Sequence, residues 1–352
     1  MAAAGDRLRF LVAGIASMGL GRDNREVIWA PNIFDHCSAP MAPSRGPLPI
    51  ARTLHATLSS HKGPVNVARY SKGSAKYIMT GGQDRSVRLW NATSGTEVKA
   101  FTAHGYEVLS LSIAHDNAQF ASSGGDRSVF VWDVATGATT RRISGHMGKI
   151  YTVEYNDQAT VLASGSFDTT VRLWDLRAMN RQPIQTLDDA TDAIQTLHVG
   201  STYIVTGSID GYVRTYDLRK GEFRSDFIGQ AVTSVMPTQD AQTLLVTSLD
   251  SHIRLMDMYT GKMLNDFTGH LNASYRCRAC FGHGEATVVC GDENGEVWAW
   301  DLLDAKPMPP NPPPKVHQKI VTWTEHHPTD AGELITASAD GTVKIWKQPD
   351  SS

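Results

Sequence analysis

Two groups of side chains in this sequence have the residue types of a hydrolytic triad. His104, Ser110 and Asp126 are followed 42 residues later by His146, Thr152 and Asp168. An imidazole between a carboxylate and a hydroxyl is what nucleophilic acyl transfer needs. The repetition argues against it, because an active site is built once whereas architecture recurs, so no catalytic residue is assigned. Cys277 and Cys280 make half of a metal or redox motif. No second pair exists, and Cys290 belongs to a neighbouring strand, so strand cysteines fit better than a metal site. His326 and His327, followed by Pro328, read as a turn between strands. No glycine-rich loop follows a strand and opens a helix. We therefore expect a non-enzyme with no cofactor, no metal and no small-molecule substrate.

The composition bounds the elements that hold these residues. The chain has 352 residues, 41% of them apolar and 20% charged, which excludes wholesale disorder. Its 33 Lys and Arg against 36 Asp and Glu leave a net charge of -3, which carries no footprint of sequence-independent nucleic-acid binding. RNA contact is expected to be peripheral at most. Four cysteines are too few for a disulfide framework and suit a reducing compartment. No apolar run is long enough to span a bilayer, and no membrane partner is expected.

A short run recurs seven times: small residues, an aspartate, alternating apolar residues and an aromatic. Examples are GGQDRSVRLWN at 81–91, GSFDTTVRLWD at 165–175 and ASADGTVKIWK at 337–347. The turn positions are Asp84, Asp126, Asp168, Asp210, Asp250, Asn294 and Asp340, separated by 42, 42, 42, 40, 44 and 46 residues. Six positions after each stands Trp90, Trp132, Trp174, Tyr216, Met256, Trp300 or Trp346. The alternation within each unit has the period of a strand, and Gly and Asp punctuate the runs. A small sheet cannot bury both faces alone, so the units must stack and close into a ring.

On these residues the sequence resembles the WD-repeat family, over about 52–348. The resemblance implies an all-β, seven-bladed β-propeller over 51–348, with an irregular extension at 1–50 and a tail at 349–352. It also implies a buried hydrogen-bonded network of His, Ser or Thr, Asp and Trp, matched by His104, Ser110, Asp126 and Trp132 and by His146, Thr152, Asp168 and Trp174. Units four and five lack the histidine and are expected to rely more on packing. Only a short polar stretch follows Trp346, so residues 52–59 are expected to supply the missing strand of the last blade and close the ring, removing exposed sheet edges.

The family places the residue before each turn Asp on the wider ring face, where partners dock. There it reads Gln83, Gly125, Phe167, Ile209, Leu249, Glu293 and Ala339. Phe167, Ile209 and Leu249 are consecutive, large and apolar, and are expected to form an exposed binding patch. Glu107, Lys149, Tyr151, Gln195 and Arg276 are expected to flank it; Tyr and Arg are frequent interface anchors. A competing motif is Trp174-Asp175-Leu176-Arg177, with a weaker copy ending at Arg219. It resembles the docking motif of substrate receptors for the cullin–DDB ubiquitin ligase, with Arg177 as the contact.

Units two to five, including AHGYEVLSL at 103–111 and GSIDGYVRTYDLRKG at 207–221, are similar to the mitogen-activated protein kinase organizer branch of the family. That resemblance implies a scaffold of the spliceosome acting in pre-mRNA splicing through spliceosomal proteins, with a second role among kinase-cascade proteins, in nucleus and cytoplasm.

Two segments fall outside the repeats. Phe10–Leu20 is apolar with Arg7 and Arg9 ahead of it, but Asp6, Asp23 and Glu26 spoil a secretory or transit signal. We read it as part of a flexible or partly ordered extension. Pro307–Pro314 holds six prolines in eight residues and favours polyproline II. It fits either an SH3 or WW ligand or a stiff connection replacing an outer strand; we adopt the second reading.

Overall fold

A computed structural model describes residues 53–348 apart from 179, 311 and 312. The extension at 1–50 and the tail at 349–352 lie outside the described residues. The alternating runs form seven antiparallel sheets, and the first strand of each packs against the first strand of the next. The circle closes where Val65–Tyr70 of blade one meets Val321–His326 of blade seven. The chain is thus an all-β, seven-bladed β-propeller, and a 3-10 turn at His283–Glu285 is the helical element among the described residues.

Closure follows the expected route. Thr53–Leu58 pairs antiparallel with Val343–Lys347, giving blade seven its outer strand from the opposite end of the chain. Leu58 is buried at 1% exposure in the core shared by blades seven, one and two. Glycines set the close approach between blades. A Cβ on Gly81 would lie 2.7 Å from Val108 of blade two, and one on Gly165 would lie 2.6 Å from Ile194 of blade four.

Blade six has three regular strands, Ala279–Phe281, Thr287–Gly291 and Val297–Asp301. The proline-rich stretch runs along its outer edge through isolated pairings of Trp300 with Pro307 and Glu296 with Lys315. Met308 N–H donates to Ala299 O at 2.8 Å. Proline has no N–H for a ladder, so a full strand cannot form there.

Each blade has two ends. The upper end carries the turn with the repeat aspartate and the segment entering the first strand. The lower end carries the turns between first and second and between third and fourth strands. Arg177 and Phe167 lie at the two ends of one strand, Val171–Asp175, and therefore on opposite faces of the ring.

Candidate functional site

The histidine network has the expected Asp and Trp but a different hydroxyl. His104 Nδ1–H donates to Asp126 at 2.7 Å, its Nε2 meets Ser122 Oγ at 2.6 Å, and Trp132 Nε1–H donates to the same oxygen at 2.8 Å. In blade three the oxygen is Ser164, 2.8 Å from His146 Nε2 and 2.9 Å from Trp174 Nε1. Ser110 and Thr152 are therefore not members. Both lie on first strands, and Ser110 Oγ instead accepts the Val153 N–H of the next blade at 3.2 Å. The second strand puts Ser122 and Ser164 beside the Trp, which the first strand cannot do.

Blades one and seven carry the same network, which the sequence reading did not recognise as complete. His61 joins Asp84 and Thr80, to which Trp90 donates at 2.9 Å. His317 joins Asp340 and Thr336, to which Trp346 donates at 2.9 Å. The signal was available: in all four blades the hydroxyl stands ten residues before the Trp.

Blades four and five, expected to rely more on packing, carry an arginine on the turn aspartate; it meets the serine two residues before that aspartate and not the hydroxyl position ten residues before Tyr216 or Met256. Arg214 donates to Ser208 Oγ and Asp210 at 2.8 Å each. Arg254 donates to Ser248 and Asp250. In blade six Cys290 occupies the hydroxyl position and Asn294 the aspartate position. His270 is buried there with neither ring nitrogen partnered, and burial pulls its pKa down to about 4.

The chemistry of these groups is structural. A carboxylate only accepts, so each Asp-bound Nδ1 carries the proton and Nε2 receives the hydroxyl hydrogen. The remaining hydroxyl lone pair is engaged by the indole N–H. Ser122 and Ser164 are fully buried, so a substrate carbonyl has no route to them. Burial opposes the charge of Asp126, but the hydrogen bond from His104 and those from Ser128 and Gly105 outweigh it and hold its pKa below the carboxylate range. Cys277, Cys280 and Cys290 are buried, and burial pushes the Cys280 thiol up to about 11, away from the reactive thiolate. Among the described residues no three His, Cys, Asp or Glu side chains gather as a metal site would require.

The upper end offers a surface instead. The residue before each turn position is held by one recurring bond, its N–H donating to a carbonyl of the entering segment. Gln83 bonds Pro64, Gly125 bonds Glu107, Phe167 bonds Lys149, Ile209 bonds Ala193, Leu249 bonds Ala231, Glu293 bonds Leu271 and Ala339 bonds Ile320. These seven seats share one face. Phe167 is 56% exposed and Ile209 36%, while Leu249 is half-buried. Tyr106, Met147, Leu271 and Tyr275 are also exposed on the entering segments of this face, and the sequence reading missed all four.

Between blades two and three the surface opens into a cleft of about 640 Å³ lined by Tyr106, Arg127, Phe130, Arg142, Lys149 and Phe167. Lys149 on its lining forms an ion pair with Glu107 at 2.8 Å. A Cβ on Gly125 would lie 2.9 Å from the Glu107 carboxyl, so a larger residue there would make that flexible side chain shift. The other flanking residues differ from expectation. Tyr151 and Gln195 are half-buried on first strands. Arg276 does not lie on the rim: it crosses the central channel and donates to Tyr151 O at 3.0 Å. Its position in an irregular lead-in to blade six hid this from the sequence.

At the lower end the Arg177 side chain is 51% exposed and lies 3.5 Å from Asp175. Arg219 is exposed in the equivalent turn of blade four. Among the described residues no helix is long and apolar enough to cross a membrane.

Comparison with known proteins follows the same outline. A family model described as "WD domain, G-beta repeat" matches residues 52–91, 95–133, 137–175, 181–217 and 315–347. The unmatched interval holds blades five and six, where Met256 and Asn294 depart from the repeat. The chain is 50% identical over 298 residues to WD repeat domain-containing protein 83 of Xenopus tropicalis, covering 85% of this chain and 93% of that protein. It is 42% identical over 292 residues to the Homo sapiens protein of the same name, covering 83% and 91%. An uncharacterized WD repeat-containing protein of Schizosaccharomyces pombe is 46% identical over 289 residues, covering 82% and 96%.

Proposed function

The chain belongs to the WD-repeat family, in the group of WD repeat domain-containing protein 83, and from that premise we propose that it is a non-enzymatic scaffold of the spliceosome acting in pre-mRNA splicing. It works by holding spliceosomal proteins on the upper face of the ring. The observation that carries the docking part is the set of exposed apolar side chains on one face, Phe167 and Ile209 on their backbone-held seats and Tyr106, Met147 and Tyr275 on the entering segments. Isolated exposed apolar residues need no explanation, but several on one face mark an interaction site, and Tyr106 and Phe167 line the cleft between blades two and three. The resemblance of units two to five to the mitogen-activated protein kinase organizer supports the splicing role, and a second set of partners among kinase-cascade proteins. Both roles would place the protein in nucleus and cytoplasm. Two partners held on one ring gain effective concentration, and the near-neutral charge leaves RNA contact peripheral.

The test is affinity purification from nuclear and cytosolic extracts with cross-linking. Recovery of spliceosomal proteins, with cross-links at Lys149, is the expected result, and Phe167→Asp should abolish it while the variant stays folded. A Phe167→Asp protein that folds and keeps every partner refutes the docking face. The second reading, a substrate receptor of a cullin–DDB ubiquitin ligase, is favoured by one observation: Arg177 of the Trp-Asp-Leu-Arg motif is exposed on the opposite face. Under it, Arg177→Ala removes the ligase adaptor and Phe167→Asp does not.

A further inference from the structure

The first strands of the blades enclose a central channel, whose lower part widens into a cavity of about 800 Å³. Three guanidinium groups reach it, from Arg69, Arg276 and Arg278, against two carboxylates, Glu154 and Glu325. Arg278 pairs with Glu325 at 3.3 Å, and Glu154 is shared between Arg69 at 3.9 Å and His198 at 3.4 Å. Arg276 has no carboxylate among the described residues; its one bond is to the Tyr151 carbonyl. The Nε atoms of Arg276 and Arg69 are buried without a partner. At the mouth stand Lys72 and two further carboxylates, Asp157 and Glu285, the latter accepting from the Gln239 N–H at 2.6 Å.

A buried guanidinium without a counter-charge is costly, and the cost falls when an anion joins it. The forks are oriented in advance, since Arg278 stacks over the Trp323 ring at 4.0 Å and Arg69 lies 5.5 Å from the same ring. Planar forks suit oxyanions, and the cavity is of small-molecule size. We propose that the lower channel is a binding site for an oxyanion, the phosphoryl or carboxylate head of a small molecule, gripped by Arg276 with Arg69 and Arg278. The site goes beyond the docking face and does not depend on it, so Phe167→Asp should bind the anion like the natural protein.

The experiment is titration of the full chain with inorganic phosphate and, separately, with citrate, at constant ionic strength made up with chloride. Calorimetry and the Trp323 indole resonance, assigned through Trp323→Phe, report binding. Saturable single-site binding that shifts the Trp323 resonance is expected. Arg276→Gln should weaken it at least tenfold, Arg276→Lys less, and Arg177→Gln not at all. Binding of phosphate alone identifies a phosphoryl head, and binding of citrate alone a carboxylate. Absence of saturable binding by either anion overturns the proposal. So does binding that leaves the Trp323 resonance unmoved, a result that does not require any arginine variant to fold.

Discussion

Replacing Ser122 by alanine isolates the hydroxyl on which the blade-two network turns. Two buried groups lose their partner at once, Nε2 of His104 and the indole N–H of Trp132. Water cannot substitute, because Ser122 is fully buried and His104 and Trp132 are nearly so. Tautomer exchange gives no relief, since it would turn an Nδ1 lone pair toward the Asp126 carboxylate 2.7 Å away. At about 1–3 kcal/mol for each of the two buried groups left unsatisfied, Ser122→Ala should cost about 2–6 kcal/mol. Ser110→Ala strands a single N–H, that of Val153, from a longer bond of 3.2 Å, and should cost about 1 kcal/mol. Urea unfolding followed by tryptophan fluorescence gives both numbers, with the midpoint moving and the slope unchanged. If Ser110→Ala costs as much as Ser122→Ala, the network is not organised around the second-strand hydroxyl and the reasoning fails. Ser164 and Thr152 offer the same contrast in blade three.

Three further outcomes follow from the same geometry. Arg214→Met removes the ion pair of Asp210, whose pKa is held at about 2 against the opposing effect of burial by Arg214 together with hydrogen bonds from Ser208 and Thr191. Those hydrogen bonds remain, so the loss should be about 1.5–3 kcal/mol, the worth of a hydrogen bond to a charged group, part of it restored by adding Asp210→Asn; equal stability of single and double variants in urea would contradict the ion-pair account. Leu58→Ala in the closing strand should cost about 2–5 kcal/mol although Leu58 is remote from every other strand of its blade in sequence, and a neutral result would mean the ring does not need this closure. Stability should also fall on acidification. Burial holds His61 and His317 below the ordinary 6.5, so the unfolded chain takes up protons first as pH drops past that value. Asp84, Asp126 and Asp340, opposed by burial but lowered by their hydrogen bonds, add to the loss below about pH 4. Urea midpoints at pH 7.5, 6 and 4 should decrease in that order; an unchanged midpoint from 7.5 to 6 would contradict the histidine contribution.

The parts that were legible in the sequence are those where one physical requirement repeats. A turn that accepts backbone N–H groups favours Asp at the same place, met in six of the seven units, and an aromatic six residues later recurs in six of the seven. Closure was legible because a blade lacking an outer strand exposes an edge and Thr53–Leu58 had no other role. The hydroxyl was misplaced because the family pattern was matched to Ser110 on the first strand, whereas strand pairing decides what lies beside Trp132. The spacing of ten residues from hydroxyl to Trp carries that information. It also accounts for His270: position 290 is Cys and position 294 is Asn, so neither nitrogen finds its usual partner.

The docking face was half legible for a related reason. The seven seats are fixed by backbone bonds, N–H of the seat to a carbonyl of the entering segment. That bond makes no demand on the side chain, and a large apolar residue at Phe167 or Ile209 departs from what a turn prefers. Such a departure is readable. Tyr106, Met147 and Tyr275 lie on entering segments outside the strands, where no ladder register fixes the expected residue, and their exposure emerges only when the ring is assembled. Arg276 is the extreme case. Its segment does not pair as a strand, since pairing in blade six begins at Ala279, and freedom from the ladder is what lets the side chain cross the channel to Tyr151. Residues that the repeat does not constrain are thus both the hardest to place and the ones available for function.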